Sequence, residues 1–191
     1  MQVKKEYRIL GIDDGHFKRT DESVIVIGTI FRGGEWMDGI ITTEVKIDGY
    51  DSTEKLISLV KRTKHFGQLR CILLNGIALG GFNVIDIQEL TKKTKLPVIV
   101  IIRKYPDFKK IKSALESFGA ISKMGIINRA GEVYNTGLKN KKIYFKVAGI
   151  TPDNAKIIIK LSSTRSMVPE PLRAAHLIAS GVTTGESKRR A

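Results

Sequence analysis

Apolar residues in the first quarter of the chain fall into three short runs separated by polar connections. They cover residues 6–13, 23–33 and 36–48, and β-branched residues dominate the second run. Runs of this length and composition are typical of β-strands. Because the connections between them are short, they predict an antiparallel meander of three strands.

Further along the chain, helical spacing alternates with largely apolar runs. Residues 53–66 place apolar side chains on one helical face and lysines on the other. Residues 69–75 and 97–103 are apolar runs typical of buried strands. A helix that includes Val84 is predicted between these two strands, and another helix over residues 107–119. The alternation predicts parallel βαβ units.

The pattern weakens over residues 119–150, which predict a short hairpin or an irregular excursion and then a sixth strand. A helix is predicted to begin at Thr151, with Pro152 at its first helical position. A final helix is predicted from Pro169 to Gly181, because proline and glycine are typical boundary residues. No internal repeat or low-complexity linker interrupts the chain.

These elements predict one domain over residues 1–185 and a basic C-terminal tail over residues 186–191. At 191 residues the chain is long enough for one well-buried core. Three antiparallel strands followed by parallel βαβ units are the order expected of a ribonuclease H-like fold. The predicted fold class is therefore α/β, with a mixed sheet flanked by helices.

Three of the predicted strands end in an acidic or amide side chain followed by glycine. The first ends at Asp13 and Asp14, the third at Asp48, and the fourth at Asn75. If these strand ends meet at one edge of the sheet, a divalent cation would relieve the repulsion between their carboxylates. Asp-Gly and Asn-Gly are also common turn sequences, so ordinary turn formation is the alternative explanation.

Positive charge dominates the composition. Lys and Arg number 33 against 19 Asp and Glu, which gives a formal net charge of +14. Such an excess favours a polyanionic partner, most often nucleic acid. A basic surface that only keeps the protein soluble is the alternative.

The composition also bounds the cellular setting. Apolar residues make up 42% of the chain, and no segment approaches the roughly 20 consecutive apolar residues that span a bilayer, so no membrane partner is expected. The first residues lack the apolar core of a secretion signal. The single cysteine, Cys71, lies inside a predicted strand without a disulfide partner. A reducing, cytoplasmic location is the expectation.

Motifs along nearly the whole chain carry a resemblance to a known family. They are RILGIDDG, IFRGG with the following DGIITTEVKIDGYDST, LLNGIALGGFNVIDI, LPVIVIIRK and PEPLRAAHLIASG. With these motifs the chain resembles the DUF99 (UPF0215) family, relatives of endonuclease V. The resemblance implies a nuclease that depends on Mg²⁺ or Mn²⁺ and nicks DNA at or near a deaminated base, with deoxyuridine favoured, in a DNA-repair role.

The resemblance also implies roles for individual residues. Asp13 matches the first metal-binding acid of endonuclease V, with Asp14 a close rival, and Asp48 matches the second. Asn75 stands where the third acid is expected, and the missing charge is expected to weaken the affinity for a cation. His176 is implied as a general acid or outer-sphere partner, since imidazole titrates near neutral pH.

Contacts with nucleic acid are predicted from residues around these acids. Arg103 matches the lysine that follows the buried strand in endonuclease V, and Arg173 lies one turn before His176. Free N–H groups at Gly80 and Gly81, in a turn predicted to open a helix, would attract phosphate. The full predicted contact set is Asp14, Gly80, Gly81, Arg103, Lys104 and Arg173.

Stacking on a displaced base would need an exposed aromatic side chain. Phe31 and Trp36 lie near the segment that stands in place of the endonuclease V wedge. Core packing is the expected role of Phe31, and for Trp36 stacking and packing are weighted equally.

Three functions are compatible with these features. The leading hypothesis is a metal-dependent endonuclease that acts on damaged duplex or single-stranded DNA. The second is a nucleic-acid-binding relative in which Asn75 has weakened or abolished cleavage. The third is a nuclease on the same fold that is directed at RNA.

Overall fold

A computed structural model describes residues 6–137 and 143–187, which form a mixed β-sheet with helices on both faces. The strands are β1 (Arg8–Asp14), β2 (Ser23–Arg32), β3 (Trp36–Lys46), β4 (Cys71–Asn75), β5 (Ala78–Leu79), β6 (Asn83–Val84), β7 (Val98–Ile102), β8 (Tyr134–Asn135) and β9 (Tyr144–Ala148). The helices are α1 (Ser52–Arg62), α2 (Ile87–Thr94), α3 (Phe108–Ser117), α4 (Lys123–Arg129), α5 (Pro152–Ser162) and α6 (Glu170–Thr184).

Within the described residues, the main sheet has the strand order β3-β2-β1-β4-β7-β9-β8. Strands β3, β2 and β1 are antiparallel, β1, β4 and β7 are parallel, and β9 is antiparallel to β7. This order confirms the predicted meander followed by parallel βαβ units. The parallel pairing places Ile12 beside Leu74, so the carboxyl ends of β1 and β4 are neighbours.

Helices cover both faces of the sheet. On one face, α1 and α2 bury Leu56 and Leu90 against strand residues such as Leu10. On the other face, α5 and α6 bury Ile158 and Leu172 against the intervening strand residues. Alternate side chains of one strand therefore lie in opposite layers. This alternation decides where the two acids at the end of β1 point.

The helix predicted to carry Val84, Ile87 and Leu90 is confirmed for Ile87 and Leu90, but its inclusion of Val84 is wrong, because that residue lies in a small hairpin. Strands β5 and β6 pair antiparallel, and the tip between them carries Gly80 and Gly81 at positive φ, 52° and 82°. The helix begins only at Ile87, where the side chain of Asp86 accepts hydrogen bonds from two N–H groups of the first turn. The glycine turn therefore lies at a hairpin tip and not at a helix N-terminus.

The weak pattern over residues 119–150 contains a helix, α4, in place of the predicted hairpin or irregular excursion. Buried Lys146 of β9 donates hydrogen bonds to the carbonyl oxygens of Ile127 and Gly131 at the C-terminal end of this helix. Burial lowers the pKa of Lys146. A lysine at this end satisfies carbonyl groups that the helix leaves without an internal partner.

The predicted end of the last helix at Gly181 is also wrong. Helix α6 continues to Thr184 and ends at Gly185, whose φ of 78° is left-handed and whose N–H donates to the Gly181 carbonyl. Most of the predicted basic tail, residues 188–191, lies outside the described residues. None of the helices in the described ranges has the length and apolar content needed to cross a bilayer.

Candidate active site

The carboxyl ends of β1 and β4 bring Asp13 and Asn75 together. Because Ile12 pairs with Leu74, the next residue of each strand follows in register on the same face. The Asn75 amide donates a hydrogen bond from Nδ2 to Asp13 Oδ2 at 2.8 Å. Two of the three predicted strand ends therefore meet, as the sequence led us to expect.

Helix α6 adds His176 to this pair. The helix lies so close to β1 that a methyl group on Gly11 would overlap the backbone of Pro171, and Thr29 Oγ1 donates to the Pro171 carbonyl at 2.6 Å. This contact near the start of α6 sets its position, and His176 Nδ1 lies 2.8 Å from Asp13 Oδ2. One oxygen of Asp13 thus contacts both an amide and an imidazole.

These side chains open into a cavity of about 590 Å³. Three of its residues lie four apart on α6 and so share one helical face. Arg103, at the end of β7, supplies a cation to the same cavity. The lining residues are Asp13, Asp14, Gly15, His16, Asn75, Arg103, His176, Ser180 and Thr184.

Asp14, which follows Asp13 directly, lines the same cavity but contacts a different segment of the chain. Its Oδ2 accepts a hydrogen bond from the N–H of Gly80 at 2.8 Å. Burial raises the pKa of Asp14 to about 6, the hydrogen bond from Gly80 works against that rise, and the charge of Asp13 adds to it. A carboxyl group with this pKa is poised to release its proton when a cation binds nearby.

Asp48 does not line the cavity with the other predicted acids. It is exposed, at a left-handed φ of 51°, and its Oδ1 accepts a hydrogen bond from the N–H of Phe82 at 2.7 Å. Its own N–H donates to the Gly80 carbonyl at 2.8 Å. The hairpin tip at residues 80–82 is therefore held between Asp14 and Asp48, and a side chain on Gly81 would overlap the Asp48 carboxylate.

The model of the endonuclease dU family matches residues 5–183. The chain belongs to the endonuclease dU family. The UPF0215 protein of Methanothermobacter thermautotrophicus is 50% identical over 190 residues, which cover 98% of this chain and 93% of the relative. The UPF0215 protein of Methanosarcina mazei is 50% identical over 192 residues, which cover 99% and 97%. These matches confirm the resemblance seen in the sequence motifs.

Solved structures share the fold of this endonuclease dU family member. A crystal structure of a protein of unknown function from Archaeoglobus fulgidus matches with a TM-score of 0.86 at 40% identity, covering 94% of this chain and 99% of that one. Ciona intestinalis endonuclease V, in complex with a DNA containing an inosine followed by a ribo-adenosine, matches with a TM-score of 0.57 at 17% identity, covering 88% and 82%. The endonuclease V match confirms the predicted ribonuclease H-like architecture.

The remaining residues predicted to contact nucleic acid do not all lie at the cavity. Arg103 lines the cavity, whereas Lys104 is exposed beside it and is not a lining residue. Arg173 pairs through Nε with the buried carboxylate of Glu170 at 2.7 Å and does not line the cavity. The N–H of Gly80 is directed at Asp14, as described above.

Lys123 does not line the cavity, but it holds the turn that carries Asp48, a contact that the sequence did not reveal. Its buried side chain donates from Nζ to the carbonyl oxygens of Asp48 and Gly49, at 2.7 and 2.9 Å, and lies 4.1 Å from the ring centroid of Tyr50. A buried lysine is uncommon unless it is paired. Since Lys123 begins a helix that the sequence pattern did not predict, no local signal connected it with Asp48.

The donor set at the cavity fits a hard divalent cation. Mg²⁺ prefers carboxylate and amide oxygens, often takes only one or two carboxylates, and keeps several water ligands. The described ranges contain no group of three or more His, Cys, Asp or Glu side chains arranged to hold a metal ion. The carboxylates of Asp13 and Asp14 and the amide of Asn75 would therefore supply only part of the ligands of a bound ion, and water molecules would supply the rest.

Proposed function

We propose that this endonuclease dU family member is a metal-dependent endonuclease that nicks DNA at or near a deaminated base, with deoxyuridine favoured. The observation that carries the proposal is the convergence of Asp13, Asn75 and His176 in a cavity that Arg103 also lines. The family description supports the choice of DNA as the substrate.

The residues that would hold Mg²⁺ or Mn²⁺ are Asp13, Asp14 and the amide oxygen of Asn75. When bound, such an ion supplies an activated water and neutralises the charge on the leaving 3′ oxygen. Asp48, predicted as a further ligand, accepts a hydrogen bond from Phe82 at Oδ1 and does not line the cavity. Its place in the metal site stays a prediction.

His176 would handle the proton at the leaving group. Its contact with Asp13 through Nδ1 fixes the orientation of the ring and leaves Nε2 as the nitrogen directed to the substrate. A histidine in this position can protonate the 3′ oxygen as the phosphodiester bond breaks. Asp13 would thus act both as a metal ligand and as the group that orients His176.

Positive charge around the cavity supports a phosphate-bearing substrate. Arg103 is exposed where it lines the cavity, and Lys104 continues the basic track along the end of β7. With a net charge of +14, the whole protein attracts a polyanion. Binding that depends on such contacts weakens as the salt concentration rises.

A second candidate function is nucleic-acid binding without efficient cleavage. The specific observation that favours this function is the hydrogen bond that the Asn75 amide donates to Asp13. A carboxylate at position 75 would instead repel Asp13. The arrangement with the amide is stable without a metal and lowers the negative charge available to a cation. The third candidate is an RNA-directed nuclease. Comparing cleavage of DNA and RNA oligonucleotides tests it directly.

Cleavage of labelled oligonucleotides separates the candidates. Duplex DNA, single-stranded DNA and RNA, each with one deoxyuridine, one deoxyinosine or their ribose equivalents, are incubated with Mg²⁺, Mn²⁺ or a chelator. The proposal expects metal-dependent nicks near deoxyuridine in DNA, and loss of more than about 100-fold in rate for Asp13→Ala. Asp153→Asn, an exposed acid on α5, is the matched control and is expected to cleave normally.

Other outcomes identify the other candidates. Tight binding without nicks, both in the wild type and in Asn75→Asp, would support the binding-only function. Cleavage restored by Asn75→Asp alone would show that the amide limits the reaction. Cleavage of RNA only would contradict the DNA assignment.

A further inference from the structure

An aromatic pair with an attached cation lies beside the hairpin tip between Asp14 and Asp48. The rings of Phe82 and Phe118 have centroids 5.1 Å apart at an interplanar angle of 51°. The guanidinium carbon of Arg19 lies 5.1 Å from the Phe118 centroid. Three separate segments thus meet here: the β1–β2 connection, the hairpin tip and the end of α3.

Direct hydrogen bonds connect this cluster to the predicted acids. The N–H of Phe82 donates to the Asp48 carboxylate, and the N–H of Gly80, two residues earlier, donates to the Asp14 carboxylate. Arg19 lies five residues after Asp14 in the loop that follows β1. The position of Phe82 relative to the acids is therefore set by these two hydrogen bonds.

The cluster is only partly explained by core packing. Phe82 is half-buried and packs against a small core cluster that includes Leu115, whereas 46% of Phe118 is exposed. Arg19 is also exposed. A partly exposed aromatic ring with an arginine against it is a combination found on surfaces on which nucleobases stack.

We propose that Phe82, Phe118 and Arg19 form a stacking site for an unpaired nucleobase of a DNA strand that is bound at the Asp13 cavity. This inference rests on the proposed function and specifies its substrate class: a strand with an unstacked base, as opposed to a fully paired duplex. The aromatic rings accept the base, and Arg19 contributes positive charge for the neighbouring phosphate.

Trp36, one of the aromatic residues considered for this role from the sequence, lies elsewhere. It is 67% exposed, but it pairs with Arg32, and Arg32 pairs with Arg8 at the opposite end of β1 from the acids. Five residues of strand separate Arg8 from Asp13, which is roughly 17 Å. Phe31 is buried, as expected. Trp36 therefore provides a matched exposed aromatic control.

The test compares binding to duplexes that differ at one position, in a chelating buffer that prevents cleavage. One duplex carries an unpaired base, the second carries an abasic site there, and the third is fully paired. Wild-type protein is expected to bind the unpaired base about tenfold more tightly than the abasic site, a typical value for one stacked base. Phe118→Ala is expected to reduce this preference, Arg19→Ala to weaken binding of both of these duplexes alike, and Trp36→Ala to keep the preference.

A fluorescence measurement tests contact with the base itself. The chain has one tryptophan, so Phe118→Trp in a Trp36→Phe background places the sole tryptophan in the proposed site. The unpaired base is expected to quench its emission, and the abasic duplex to leave it unchanged. Equal emission with both duplexes, or an undiminished binding preference in Phe118→Ala, would overturn the stacking site.

The two proposals fail in different ways. A protein that shows the binding preference but never nicks deoxyuridine would contradict the endonuclease function and support the stacking site. A protein that nicks deoxyuridine while Phe118→Ala keeps the full preference would contradict only the stacking site. A preference seen with RNA strands alone would overturn the assignment to DNA.

Discussion

Asp13 Oδ2 accepts a hydrogen bond from Asn75 and contacts His176, both at 2.8 Å. The chemical group that each neighbour presents therefore acts on Asp13 at contact distance. An amide at position 75 stabilises the carboxylate without a cation, whereas a second carboxylate would need a proton or a metal ion between the two. The identity of residue 75 thus sets how strongly the folded site depends on metal.

Asn75→Asp is expected to make the protein less stable in a chelator and more responsive to Mg²⁺. Loss of the hydrogen bond and the added repulsion should lower the free energy of unfolding by roughly 1–3 kcal/mol. Added Mg²⁺ should recover this loss and bind more tightly than it does to the wild type. Urea denaturation with and without Mg²⁺ measures both effects, and an unchanged response to Mg²⁺ would contradict the assignment of residue 75 to the metal site.

Asp14 is expected to reduce the stability of the metal-free protein as the pH rises. Its pKa of about 6 in the folded state lies above the ordinary value of 3.8. Below about pH 4, the contribution of Asp14 to the free energy of unfolding is at its most favourable. This contribution is lost as the pH rises through about 6, and the free energy of unfolding falls by about 3 kcal/mol by neutral pH. Asp14→Asn should remove this dependence.

Urea denaturation of the wild type and of Asp14→Asn in a chelator, at about pH 4 and about pH 7, measures whether Asp14 lowers the stability as the pH rises. The variant should be the more stable protein at the higher pH, with a smaller difference at the lower pH. A difference that does not change with pH would show that Asp14 is not held in an environment that disfavours its charge.

Helix α6 is the element that brings His176 to the strand ends. It contacts β1 at Gly11 near its own start, and near its end Thr183 Oγ1 accepts a hydrogen bond from the N–H of His16 at 3.0 Å. His176 lies between these two attachments. The position of the imidazole is therefore fixed by contacts of α6 with β1 and with the connection that follows it.

Gly11→Ala is expected to displace α6, because the added methyl group meets the backbone of Pro171. Overpacking of this kind costs typically 1–3 kcal/mol, and nicking should fall as His176 moves away from Asp13. The matched control is Gly181→Ala on the same helix, where nothing lies within 4 Å of the added methyl group. This control should be stabilised by about 0.5–1 kcal/mol. Equal stability and activity of the two variants would contradict the claim that the contact between α6 and Gly11 positions His176.

The sequence predicted those parts of the site that depend on strand order. Asp13 and Asn75 end neighbouring parallel strands, and the hydrophobic pattern was sufficient to place both strands in one sheet. Asp48 lies two residues beyond the end of β3, so its position depends on the conformation of a turn and on Lys123. Such contacts between distant segments leave no periodic pattern in the sequence.

The hairpin tip shows the same limit. The sequence GGF predicts a phosphate-binding turn before a helix, because glycines followed by a helical pattern are typical of such turns. The structure places a hairpin there, with the N–H groups of Gly80 and Phe82 directed at two carboxylates. The aromatic pair with Phe118 arises only once this hairpin contacts the end of α3.

At the scale of the whole molecule, one sheet with helices on both faces directs consecutive acids into different surroundings. Both acids line the cavity, but Asp13 contacts His176 of α6, whereas Asp14 accepts a hydrogen bond from Gly80 at the hairpin tip. The chain as a whole carries a formal net charge of +14. The combination favours a bound polyanion with a cation at the strand ends, which is the central claim of the proposed function.

Anomalous X-ray diffraction from crystals soaked in Mn²⁺ tests this claim most directly. The account predicts an anomalous peak at coordination distance from a carboxylate oxygen of Asp13, with Asn75 or Asp14 as a further ligand. The peak should be absent from Asp13→Asn crystals soaked in the same way. A wild-type crystal with Mn²⁺ bound only at other carboxylates, and none at the end of β1, would contradict the metal-dependent site.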